Sequence, residues 1–194
     1  GADDNASGVA VLLEVARHLR QAAPAQTVEL VAYVNEEPPA FRTAAMGSVQ
    51  HARRLKAEGV DVRAMVSVDM VGDYAPGRRP QGAFRALGPH TLGVVAEPSQ
   101  RALVAILVRS LGGTLAPLTR VVPVLAARTA PGIDWSDHHP FWDVGYPAVM
   151  VTSGGWERSE AYHSPKDTPD RLDGLRMARL AEALSRWAKG SETK

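Results

Sequence analysis

Short apolar, β-rich runs alternate with amphipathic helical stretches along this chain, and that alternation narrows its fold more than any other feature. Residues 28–34 (VELVAYV), 64–70 (AMVSVDM) and 147–152 (PAVMVT) have the length and branched content of buried strands. Before the first of them, Val9, Leu12, Leu13, Ala16 and Leu19 recur at helical spacing, with Ser7 as the expected cap. Helices are also expected over 46–58, stopped by Gly59, over 99–111, stopped by Gly112 and Gly113, and over 175–189. Strands and helices in alternation build a layered α/β fold, so the expectation is a three-layer sandwich around a mostly parallel sheet. Residues 73–85 are rich in Gly, Pro and Arg, and strand character near 120–124 is weak, so 73–135 reads as a loop-rich excursion. The whole of 1–194 is read as one domain.

Composition serves mainly to exclude. A chain of 194 residues, 45% hydrophobic and 22% charged, buries a sizeable core in one domain. A net charge of +1 with acids and bases interleaved gives no basic face for nucleic acid. No apolar run reaches the ~20 residues that span a bilayer. With no cysteine, any metal site must be built from Asp, Glu and His. A P-loop, a dinucleotide fingerprint and a G-x-S-x-G nucleophile elbow are all absent.

The acids stand at informative places. Asp3 and Asp4 open the first helical run, where the helix dipole alone favours them, but the small residues Asn5-Ala-Ser-Gly8 also let backbone approach a ligand. Glu36 and Glu37 lie just past one expected strand, stiffened by Pro38 and Pro39. Asp69 ends an apolar run, where an unpaired acid is costly to bury. His163 offers an imidazole in a loop after another strand, with Tyr162 beside it as a donor to a developing oxyanion. In open α/β sheets, ligands sit beyond the carboxyl ends of strands, where these residues fall. Asp137, His138 and His139 do not read as a separate metal site, because Pro140-Phe-Trp follows at once.

Taken together these pieces resemble the co-catalytic di-zinc aminopeptidases of metallopeptidase family twenty-eight. The matching stretches are 2–8 (ADDNASG), 35–39 (NEEPP), 46–48 (MGS), 68–72 (VDMVG), 136–142 (SDHHPFW) and 162–168 (YHSPKDT), in the family's order. The resemblance implies a zinc-peptidase, phosphorylase/hydrolase-like sandwich whose amino-terminal strands are missing from this sequence. It implies two zinc ions with Asp3 as the bridging carboxylate, Glu37 and His163 on one ion and Asp69 on the other. Glu36 would be the general base, Tyr162 the oxyanion donor, and Asp137 and His138 would support the site from behind. The family's fifth ligand, a His in an H-x-D element, would lie upstream of Gly1. The substrate implied is a peptide with a free amino terminus, and the family favours a secreted or periplasmic location. Glutaminyl cyclases share the scaffold and resemble this chain at Asp137-His138 with Pro140-Phe141. A non-catalytic, peptidase-like binding domain is the remaining alternative, resting on the absent first His.

Overall fold

The computed structural model describes residues 1–21 and 24–190. Its sheet is built from β1 (Met65–Val68), β2 (Thr91–Ala96), β3 (Arg120–Leu125) and β4 (Ala148–Thr152), in the order β1-β4-β2-β3. β1 runs parallel to β4 with Met65 opposite Ala148, and β2 runs parallel to β3 with Thr91 opposite Arg120. The two pairs meet antiparallel, Val94 opposite Val151. The sheet is therefore mixed and mostly parallel, as expected. Every residue of β2 and β4 is buried, which is why both read as near-continuous apolar runs.

Helices cover the sheet. α1 (Gly8–Leu19) and α3 (Arg101–Leu115) both pack on α6 (Gly174–Ala188), while α2 (Gly47–Ala57) packs on α4 (His139–Asp143), which reaches β4. A single turn, α5 (Gly155–Arg158), follows β4. Leu107, Leu111 and Leu115 of α3 and Leu180, Ala181 and Leu184 of α6 are buried in one core with Leu92, Val94, Val149 and Val151 of the sheet. No helix among the described residues is long and apolar enough to cross a membrane.

Four expectations need correction. Residues 28–34 carry no strand, because no described strand runs beside them. The segment is held instead by the Gly47 amide on the Val34 carbonyl, 3.0 Å, and by the Tyr33 hydroxyl on His51 Nδ1, 2.6 Å. The stretch 73–135 is no excursion, since β2, α3 and β3 all lie within it. β2 escapes a reading by propensity because Gly93 interrupts it, yet a Cβ there would lie 3.1 Å from the Leu87 side chain that packs against it. α3 runs through Gly112 and Gly113; burial of Leu111 and Leu115 outweighs the ~1 kcal/mol that each helical glycine costs. Ser7 does not cap α1. Its hydroxyl donates to the Asp3 carbonyl at 2.7 Å and accepts the Val71 amide at 3.1 Å, and Asn5 Oδ1 accepts the Gly8 amide in its place.

Candidate metal centre

The centre forms where four separate segments end. Asp4 lies in the turn that enters α1, where its φ of −110° and ψ of 95° break the helical path. Glu36 and Glu37 follow the extended 28–34 segment, Asp69 follows β1, and Tyr162 and His163 lie in the loop beyond α5. All six line one cavity of about 400 Å³. Its other wall is apolar, with Phe41, Met70, Trp135, Met150 and Trp156. Asn35, Met70 and His163 have φ of 59°, 51° and 51°. Left-handed backbone is costly for such residues and persists where the surrounding structure holds it, which here is beside or at the site.

Within the cavity His163 Nε2 lies 3.1 Å from Asp4 Oδ2 and 3.0 Å from Glu37 Oε1. One donor atom from each of Asp4, Glu37 and His163 falls within 4.8 Å of the others. The Tyr162 ring stacks on the His163 ring at 3.9 Å and fixes its plane. Asp69 lines the same cavity outside that tight trio.

Charge in the cavity is densely of one sign. Burial first, then repulsion from Asp69, Asp137, Glu37 and Asp4, pushes the Glu36 carboxyl up to about 9. Burial raises Asp69 to about 7, helped by Asp4, Asp137 and Asp3, and raises Asp4 to about 6, helped by Glu37. Asp137 rises to about 6 by burial. Burial and the same carboxylates hold the Tyr162 hydroxyl protonated far above neutrality. Converging carboxylates and one imidazole, with no thiolate, fit a hard or borderline divalent cation such as zinc, whose charge relieves this repulsion.

These shifts fix the sign of a pH effect. Each raised acid keeps its proton in the fold after the unfolded chain has lost it, so its contribution is full below about pH 4. That stability is lost as pH rises through about 6 to 9. The zinc-free protein is expected to melt lower at pH 9 than at pH 5 by on the order of 5–10 °C. Zinc should flatten the trend, and melting curves with chelator and with zinc check it.

Three expected site residues do not line the cavity. Asp3, expected at the centre, is buried beneath it: Oδ1 accepts the amides of Gly72 at 2.7 Å and Asp73 at 3.1 Å, pinning the loop after β1. Asp4 occupies the position at the cluster, because the break in the helical path turns the two neighbours in different directions. His138 is a core residue. It is fully buried, with Nε2 2.7 Å from the Ile133 carbonyl and the Trp142 ring at 4.6 Å, and burial drops its pKa to about 3. Asp137 does not line the cavity, though its charge is felt by Glu36 and Asp69.

One functional residue had no assigned role in the sequence. Asp167 Oδ1 accepts the Asp3 amide at 2.8 Å and its Oδ2 accepts the Asp4 amide at 3.0 Å, a two-pronged clamp on the turn that carries Asp4. The only sequence signal was its place four residues after His163 in YHSPKDT. Asp167→Ala is expected to lower zinc affinity about 10–100-fold, as loss of support behind a ligand does. Titration with a zinc-buffered indicator checks this; unchanged affinity would make the clamp irrelevant to the centre.

Known proteins resemble this chain to different extents. Over 191 residues the chain is 40% identical to "Uncharacterized protein YfbL" of Escherichia coli, covering 95% of this chain and 58% of that protein. Among solved structures, the zinc aminopeptidase BSAP from Bacillus subtilis matches all of this chain and 44% of its own, with TM-score 0.73 and 22% identity. The glutaminyl cyclase of Porphyromonas gingivalis matches 98% of this chain and 63% of its own, with TM-score 0.63 and 21% identity. At those identities the two structures establish a common fold. The model of peptidase family M28 matches residues 1–188, and the chain belongs to that family.

Proposed function

We propose that the protein is a zinc-dependent aminopeptidase that removes amino-terminal residues from peptides. What carries this reading is the convergence of Asp4, Glu37 and His163 donors, with Glu36, Asp69 and Tyr162 on the same cavity. Membership of a peptidase family agrees with it. In this reading Asp4, Glu37, His163 and Asp69 would together hold two zinc ions. Zinc, when bound, polarises the scissile carbonyl and makes the attacking water more acidic.

The chain's own groups do the rest. Glu36 takes the proton of the attacking water and delivers it to the leaving amine. Its burial beside other carboxylates raises its affinity for a proton, and cation charge in the same cavity would leave it ionised, as a base must be. Tyr162 keeps its proton and donates a hydrogen bond to the carbonyl oxygen as negative charge builds there. The wall of Phe41, Met70, Trp135, Met150 and Trp156 receives the first side chain of the peptide.

The likeness to a glutaminyl cyclase fold supplies a second reading, and chemistry separates the two. Hydrolysis consumes water and releases a free amino acid, whereas cyclisation of an amino-terminal Gln releases ammonia. A Leu-initiated peptide is expected to lose leucine, and a Gln-initiated peptide to evolve no ammonia. Ammonia with a ring-closed product, and no leucine, would replace the aminopeptidase by the cyclase.

A further inference from the structure

A second cavity, of about 300 Å³, adjoins the acidic one, and Arg42 lines both. Its polar lining is Arg42, Arg53, Arg128, Asp134, His139 and Asp143. Arg42 has a left-handed backbone, φ 61°, and its guanidinium lies 5.1 Å from the Phe41 ring centre. Asp134, with a side chain 12% exposed, pairs with Arg42 at 2.5 Å and with Arg128 at 3.9 Å. Arg128 also reaches Asp143 at 2.6 Å. A guanidinium has five N–H donors, so both arginines keep donors beyond these contacts. Arg53 adds an exposed guanidinium with no carboxylate partner among the described residues.

The two cavities thus differ in sign. Asp4, Glu36, Glu37 and Asp69 crowd the first, whereas the second sets three arginines against two aspartates. A short peptide with both ends free has the matching polarity: an ammonium at one end and a carboxylate at the other. The ends of an extended di- or tripeptide lie roughly 7–11 Å apart, and the shared lining residue Arg42 sets the two cavities side by side. Guanidinium forks bind carboxylates in two-pronged, charge-assisted fashion.

We propose that the Arg42–Arg128 cavity is a subsite for the terminal carboxylate of a di- or tripeptide whose amino end lies in the acidic cavity. This rests on the aminopeptidase reading above and narrows its substrate to short peptides with a free carboxyl end.

Binding tests it directly. The full-length zinc-loaded protein carrying Glu36→Gln is titrated calorimetrically with a Leu-initiated dipeptide, as the free acid and as its carboxyl-terminal amide. The acid is expected to bind about tenfold more tightly than the amide, and the ratio to fall to about one when Arg42→Gln and Arg128→Gln are combined. Arg53→Gln, at an exposed position with no carboxylate partner among the described residues, should reduce the ratio about threefold. It keeps the test open if leaving Asp134 unpaired prevents the double variant from folding. Equal affinities for acid and amide overturn the subsite, as does a preference that survives these substitutions. Turnover of a long Leu-initiated peptide amide by the unsubstituted protein reads the peptidase assignment separately. A flat binding ratio with intact turnover therefore overturns the subsite alone.

Discussion

Glu36→Gln is expected to lower kcat about 10²–10⁴-fold, the range that a positioned general base contributes. The substitution keeps the shape of the side chain and removes only its ability to take a proton. Glu36 lies outside the trio of Asp4, Glu37 and His163, so zinc content measured by atomic absorption should stay near that of the unsubstituted protein. A second readout comes from the cost of its charge. Burial and neighbouring carboxylates push Glu36 up to about 9, so a neutral amide there should raise the melting temperature of the zinc-free protein at pH 9. A variant that retains near-normal kcat with full zinc would remove Glu36 from the mechanism.

Asp4→Asn should have the other large effect, and Asp3→Asn beside it should not. At Asp4 the amide replaces a charged donor 3.1 Å from His163 Nε2, and zinc affinity is expected to fall by on the order of 100-fold or more, with activity. At Asp3 an amide oxygen can still accept from Gly72 and Asp73, so the loop after β1 keeps its anchor and zinc is retained. Asp3→Ala is different again, since it strands two buried amides at about 1–3 kcal/mol each and lowers stability before it touches metal. The decisive comparison is zinc content across the two Asn variants. Loss at Asp3 with retention at Asp4 would reverse the placement of the two side chains.

The parts of this fold that were legible in the sequence share a cause. α1, α2, α6, β1 and β4 each carry a hydrophobic period or an unbroken apolar run, and each lies within a few residues of its expected span. β2 lacks such a signal because Gly93 interrupts it, and that glycine is explained by the Leu87 and Val124 side chains packed against it. The 28–34 run has strand composition, but a strand also needs a partner, and composition carries no record of one. At the site, residue types and order brought Glu36, Glu37, Asp69, Tyr162 and His163 to one cavity. The choice between Asp3 and Asp4 depends on backbone angles inside a six-residue irregular turn, which no periodicity encodes. His138 looked functional by its neighbours in sequence and is structural by its neighbours in space.

The clamp from Asp167 has a consequence for how the protein comes into being. It joins residues 164 and 163 positions apart, nearly the full described length. Such a closure is late by nature, because the intervening chain must surrender its freedom before the two amides are held. During synthesis Asp4 leaves the ribosome well before Asp167 and then waits for it to emerge. Metal capture on Asp4 therefore marks the end of folding and not its beginning, and a nascent chain cut short of residue 167 should keep its acids unmetallated however much zinc surrounds it.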